Sequence, residues 1–109
     1  MKYKGIWHII EMDMWDEIYC NMEVQAYIRV GSNSLGDFQF GLVSGQIDGE
    51  TVTLGNIERF EFTWDGQDEC DPVSGSGWLR ITGKDTLKGR IKLHLGDSSN
   101  FLAVRAENL

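Results

Sequence analysis

Apolar and polar positions alternate along most of this chain. Phe60, Phe62 and Trp64 are interleaved with Arg59, Glu61, Thr63 and Asp65, the period of two expected of a strand with one face in a core. Val24, Ala26, Ile28 and Val30 alternate in the same way with Glu23, Gln25, Tyr27 and Arg29, predicting a strand over residues 23–30 that ends in the turn residues Gly31 to Gly36. Leu87, Ile91, Leu93 and Leu95, with Gly89 in their register, alternate with Lys88, Arg90, Lys92 and His94. Phe38, Phe40 and Leu42 begin a strand that resumes at Ile47, with a bulge expected at Gly45 and a tight hairpin turn at Asp48-Gly49 before a short strand over residues 51–54.

Two segments depart from simple alternation. Residues 5–12 carry apolar side chains on both faces (Ile6, Ile10 and Met12 against Trp7 and Ile9), predicting a strand covered on each side, with His8 facing the core. Met14, Trp15, Ile18 and Tyr19 then change the period and predict a short helix over residues 14–20, with Asp13 as its N-cap and Asp16 and Glu17 in its first turn. Between Trp64 and Trp78 the only proline, three glycines and four acids predict an acidic loop joining the strands of a central hairpin. The turn Gly96-Asp97-Ser98-Ser99 precedes a last strand near residues 100–106.

Strands that recur about every ten residues, joined by short connections, describe a meander. Closing a meander removes its exposed edges. The expected fold is therefore all-β: one domain over residues 1–109, an antiparallel barrel of seven to eight strands with one short helix, and a β-sandwich as the alternative. Its interior should hold Val24, Ala26, Ile28, Phe38, Phe40, Phe60, Phe62, Trp64, Leu79, Ile81, Ile91 and Leu93. A barrel of that size has room for side chains or one small ligand.

Composition narrows the partners. Ten Lys and Arg against 17 Asp and Glu leave a net charge of −7, which argues against nucleic acid and anionic lipid. No apolar run reaches the length of a membrane span, and the first residues lack the pattern of a signal peptide, so a cytoplasmic setting is expected. Cys20 and Cys70 are then expected to be reduced. No cofactor is implied, and a homodimer is left open.

Candidate chemistry is sparse. Asp65, Gln67, Glu69 and Asp71 alternate oxygen donors as a calcium loop does, but Cys70 stands where the loop needs glycine and Ser76 where it needs glutamate. His8, Cys20, Cys70 and His94 are zinc-ligand types without zinc-ligand spacing. His94, Asp97, Ser98 and Ser99 are triad types crowded into one turn, where they serve as turn formers. No metal site is expected. The stripe Lys88, Arg90, Lys92 and His94 is expected to face acids on a neighbouring strand.

Gly5-Ile6-Trp7 resembles the Gly-x-Trp at the first strand of lipocalin-like barrels, which implies the same barrel class. Nearly the whole chain is similar to a group of small uncharacterised bacterial proteins through Glu11-Met12-Asp13-Met14-Trp15-Asp16, residues 62–69, Ser76-Gly77-Trp78 and residues 94–99. That resemblance implies a bacterial cytoplasmic origin and no particular activity.

The function expected is binding, of a small molecule at a barrel mouth or of a protein partner. Candidate ligand contacts are Glu11, Asp13, Trp15, Asp16, Trp64, Asp65, Asp68, Glu69, Trp78, His94 and Asp97. Residues 11–23 and 65–71 each hold several acids and no base, and a site where they meet the His94 turn would let a cation offset their repulsion. The alternative is a small enzyme pairing His94 or His8 with Glu11, Asp68, Glu69 or Asp97 for acid–base catalysis.

Overall fold

In the computed structural model, which describes residues 1–106, the alternation resolves into eight antiparallel strands. They are β1 (Gly5–Met12), β2 (Tyr27–Val30), β3 (Leu35–Phe40), β4 (Val43–Leu54), β5 (Ile57–Asp68), β6 (Asp71–Gly83), β7 (Thr86–Leu93) and β8 (Ser98–Arg105). Each pairs with the next, and β8 returns to β1, so the meander closes into a barrel. A single short helix, α1 (Glu17–Cys20), lies between β1 and β2.

One face of every strand points inward. Trp7, Phe38, Phe40, Phe60, Phe62, Trp64, Leu79, Ile91 and Phe101 are buried there with the smaller Ala26, Ile28 and Ala103. Side chains fill this interior. Space for the rings comes partly from glycine: a Cβ on Gly45 would stand 2.7 Å from the Phe38 ring and 2.8 Å from that of Trp64. Gly45 therefore makes room for packing and is no bulge, since its register to Phe38 and to Gly66 is unbroken.

Several expectations yield to cross-strand pairing. Asp48-Gly49 is not a turn: Asp48 pairs with Leu35 and Thr63 in mid-strand, and β4 runs on to turn at Gly55-Asn56, where Gly55 has φ 61°. Twelve successive pairs with β5 outweigh a local turn preference. The expected acidic loop is likewise mostly strand, for β5 extends to Asp68 and β6 starts at Asp71, leaving Glu69 and Cys70 as the turn. Before that, the chain turns tightly at Gly41-Leu42, dividing into β3 and β4 the run that alternation predicts as one strand.

β1 is covered on one side only. Ile6 and Ile10 are 45% and 54% exposed, while a register shift between Ile9 and Glu11 carries Met12 to the inside. One extra residue exchanges the two faces of a strand, which is why parity placed Met12 beside Ile10. His8 is half-buried on the outer face between Tyr27 and Val104, and not in the core. Val24 is 42% exposed in the connection before β2, and Ile81 and Leu93 are only partly buried against the core.

The helix begins later than its period suggested. Asp16 is the N-cap, its Oδ1 accepting from Tyr19 N at 2.8 Å, whereas Asp13 N donates to the Asn100 carbonyl at 3.1 Å and prolongs the β1–β8 ladder. α1 closes one mouth of the barrel. Gly41 N donates to the Cys20 carbonyl at 2.8 Å, and the Tyr19 ring lies so close to Gly41, at φ 56°, that a Cβ there would meet it at 2.3 Å. Trp15 packs on Phe40 with ring centroids 4.9 Å apart. At the opposite mouth Tyr3 packs on Phe60, and Trp7 Nε1 donates to the Tyr3 carbonyl at 2.9 Å.

Candidate functional site

Strand direction brings the expected acidic segments to one end of the barrel. β1 and β5 end there, β6 begins there, and the β7–β8 turn with His94 and Asp97 closes there. They occupy separate hollows at or below that rim. Glu11, Trp15 and Asp16 line one of about 400 Å³ beside α1, and Glu11 and Asp13 line another with Trp78 and Lys88. Trp64 and His94 border a third with Lys92, and Asp65 borders a fourth with Asp48 and Trp64. Asp68 stands directly opposite Asp71 at the hairpin tip, next to exposed Glu69.

The chemistry weighed for these residues is not assembled. Among the described residues no three His, Cys, Asp or Glu side chains stand close enough to hold a metal ion. Ser99 is buried and structural: its Oγ accepts from Met14 N at 3.1 Å and donates to the Asn100 carbonyl at 2.9 Å. Ser98 Oγ accepts from Arg90 at 2.7 Å. Both cysteines are free, Cys70 exposed and Cys20 buried, with burial and then Asp16 pushing the Cys20 thiol above its usual range.

A groove of about 620 Å³, larger than these four hollows, lies elsewhere, on the outer surface across β4 to β7. It is built by alternation. Because Ile47, Phe60, Phe62, Leu79 and Ile91 face inward, Asp48, Glu50, Arg59, Glu61, Thr63, Ser76, Trp78, Arg90 and Lys92 must face out. Register sets them in rungs. Glu50, Glu61, Trp78, Arg90 and Asn100 are successive direct partners across five strands, and Asp48, Thr63, Ser76, Lys92 and Ser98 form the next rung.

Each rung runs from acid to base across Trp78 or its small polar neighbours. The Arg59 guanidinium lies over the Trp78 ring, 4.9 Å from its centroid, and pairs with the Glu61 carboxylate. Among the described residues Arg59 Nε is buried and has no hydrogen-bond partner. Such donors are rare in folded proteins, because an unmet buried N–H forfeits the water it left.

The basic stripe does not face acids, contrary to expectation. Lys88, Arg90 and Lys92 stand opposite Arg80, Trp78 and Ser76 on β6 and opposite Leu102, Asn100 and Ser98 on β8. Of the residues expected to bind, Trp78 is the one that lines this groove. Arg90 and Lys92 belong to the basic stripe, expected only to pair with neighbouring acids, and Asp48 and Glu50 escape the sequence reading because a turn expected at Asp48-Gly49 ends β4 before the acidic wall. Outward charge alternating with inward apolar residues on four successive strands was the available signal.

No family model matches this chain, and neither a curated protein nor a solved structure shows significant similarity to it. Among the described residues no helix is long and apolar enough to cross a membrane.

Proposed function

We propose that this protein is a non-enzymatic binding module whose ligand occupies the outer groove over Trp78, and not the barrel interior. The observation that carries the reading is Trp78, with the Arg59 guanidinium over its ring, standing between Asp48 and Glu50 on one side and Arg90 and Lys92 on the other in a single groove. A volume of about 620 Å³ suits a small molecule, and an aromatic ring among charged groups supplies both contact area and orientation. The filled interior supports the same reading, since a ligand inside would have to displace close-packed rings. Neither histidine forms an ion pair or hydrogen bond with a carboxylate among the described residues, so nothing favours acid–base catalysis over binding.

The test is an amide and indole NMR titration with a set of aromatic acids, aromatic amines, neutral sugars and short peptides. Shifts should gather on Trp78 Nε1–H and on the backbones of Arg59, Glu61, Ser76 and Arg90. Shifts confined to Trp15 and the α1 mouth, or none from any compound, would overturn the reading.

A further inference from the structure

The two walls of the groove carry opposite charge, and the fold keeps them from meeting. Asp48 and Glu50 lie on β4, Arg90 and Lys92 on β7, with two whole strands between them. At about 4.8 Å per strand, the backbones of the two walls stand roughly 14 Å apart. None of the four has an ion-pair partner among the described residues, and all four are exposed.

Like charges also face one another directly on either side. Glu50 is paired with Glu61, and Arg80 with Lys88. Such pairs oppose sheet formation, where opposite charges at the same positions would favour it. Arg59 offsets only the Glu61 carboxylate. An acidic wall, an aromatic middle and a basic wall in one groove therefore describe the complement of a dipolar molecule.

Resting on the groove reading above, we infer that the occupant is a short peptide with free termini, laid across the strands. Its ammonium end sits over Asp48 and Glu50, its carboxylate over Arg90 and Lys92, and an apolar or aromatic side chain on Trp78. Length supports this choice, because an extended chain advances about 3.3 to 3.6 Å per residue, so about four residues span the roughly 14 Å between the walls. A free amino acid is too short. Nucleic acid is disfavoured by the acidic wall and by a net charge of −7. A folded acidic partner would leave Asp48 and Glu50 against like charge.

The experiment compares four forms of the tetrapeptide Ala-Phe-Ala-Ala by NMR titration and calorimetry at low salt: free at both ends, N-acetylated, C-amidated, and blocked at both. The free form should bind in the groove, and each single block should weaken it roughly three- to five-fold, as removal of one exposed charge pair does. In D48N/E50Q acetylation should lose its effect while amidation keeps it, and in R90Q/K92Q the reverse should hold. W78A should abolish binding with the dispersed spectrum of a folded barrel retained. If the doubly blocked peptide binds the groove as tightly as the free one, the groove reading survives and the dipolar inference falls. Absence of any peptide shift in the groove, where other compounds of the wider set do bind, likewise sinks the peptide assignment alone.

Discussion

Arg105, near the end of the last strand, lies over the ring of Trp7 on the first, its guanidinium 4.1 Å from the ring centroid. The same side chain donates to the Lys4 carbonyl at 2.9 Å and to the Lys2 carbonyl at 3.3 Å, and pairs with Asp85 at 3.2 Å. One residue thus ties the N-terminal segment, the seam between β8 and β1, and the β6–β7 turn across the mouth opposite α1. Trp7 is the tryptophan of the Gly-x-Trp segment, so the part of the sequence that suggested a barrel is also where the barrel is fastened shut.

Replacing Arg105 with methionine keeps most of the stem and removes the fork. The loss should be about 1.5 to 3 kcal/mol in urea unfolding, combining a sheltered cation–π contact with carbonyl hydrogen bonds. Lysine should recover only part of it, because a single ammonium cannot reproduce the planar fork. A loss under about 0.5 kcal/mol for the methionine variant would mean that this mouth is held by Tyr3 alone.

Interior glycines should prove intolerant of a methyl group. Gly45→Ala is expected to cost about 1 to 3 kcal/mol, since the added Cβ overlaps the Phe38 and Trp64 rings. In a Phe38→Leu background the same change should cost less than it does alone, and a double-mutant cycle measures that coupling. Strict additivity would show that backbone strain, and not ring overlap, sets the cost. Phe62→Ala, by contrast, should lose about 3 to 5 kcal/mol by opening a cavity.

Alkaline pH should destabilise the protein. Burial, then Glu58, raises the pKa of Tyr3; burial, then Asp37, raises that of Tyr27; burial, then Asp16, raises that of Cys20. Groups that hold their protons more tightly when folded contribute stability that is complete below their unfolded pKa and is lost as pH rises through the folded value. With ordinary values of 9.0 for the thiol and 10.0 for the phenols, the midpoint of thermal unfolding should stay level up to about pH 8.5 and fall beyond it. Tyr3→Phe should flatten the steeper part of that fall. An unchanged slope would assign the effect to net negative charge.

The hairpin tip should gain from losing an acid. Asp68 and Asp71 face each other directly beside Glu69, so Asp71→Asn is expected to stabilise by about 0.3 to 1 kcal/mol at low ionic strength. Screening should erase the gain near 1 M salt, where the Debye length is about 3 Å. Peptide binding over Trp78 should not change, because the tip lies outside the groove lining.

Alternation and short connections were enough for an all-β meander with a barrel as its expected closure. Phe60-x-Phe62-x-Trp64 and Leu87-x-x-x-Ile91 assign their own inward faces, and short polar connections leave consecutive strands little choice but to pair. Hydrophobic burial is set by side-chain type at a period of two, a local property that needs no partner to be read. Where turns fall was a different matter. Asp48-Gly49 has the chemistry of a hairpin, and Gly66, Gly75 and Gly77 that of a loop, yet all five lie within strands because the neighbouring strand offers more pairing and the rings need their space.

The groove was hidden for the same reason. Trp78 could be marked from the sequence as a large ring near charge, but its neighbours Glu61 and Arg90 lie 17 and 12 positions away and are brought beside it only by register. A one-residue slip in either pairing would send those side chains to the other face. Composition determined that this chain is acidic and turn-rich, and periodicity with short connections that it is an all-β meander, for which a barrel is expected with a sandwich as the alternative; closure is seen in the pairing of β8 with β1. Which charges stand opposite which, and that Trp78 falls between an acidic and a basic wall, is decided by pairing between distant strands, a long-range property that no local pattern of side chains carries.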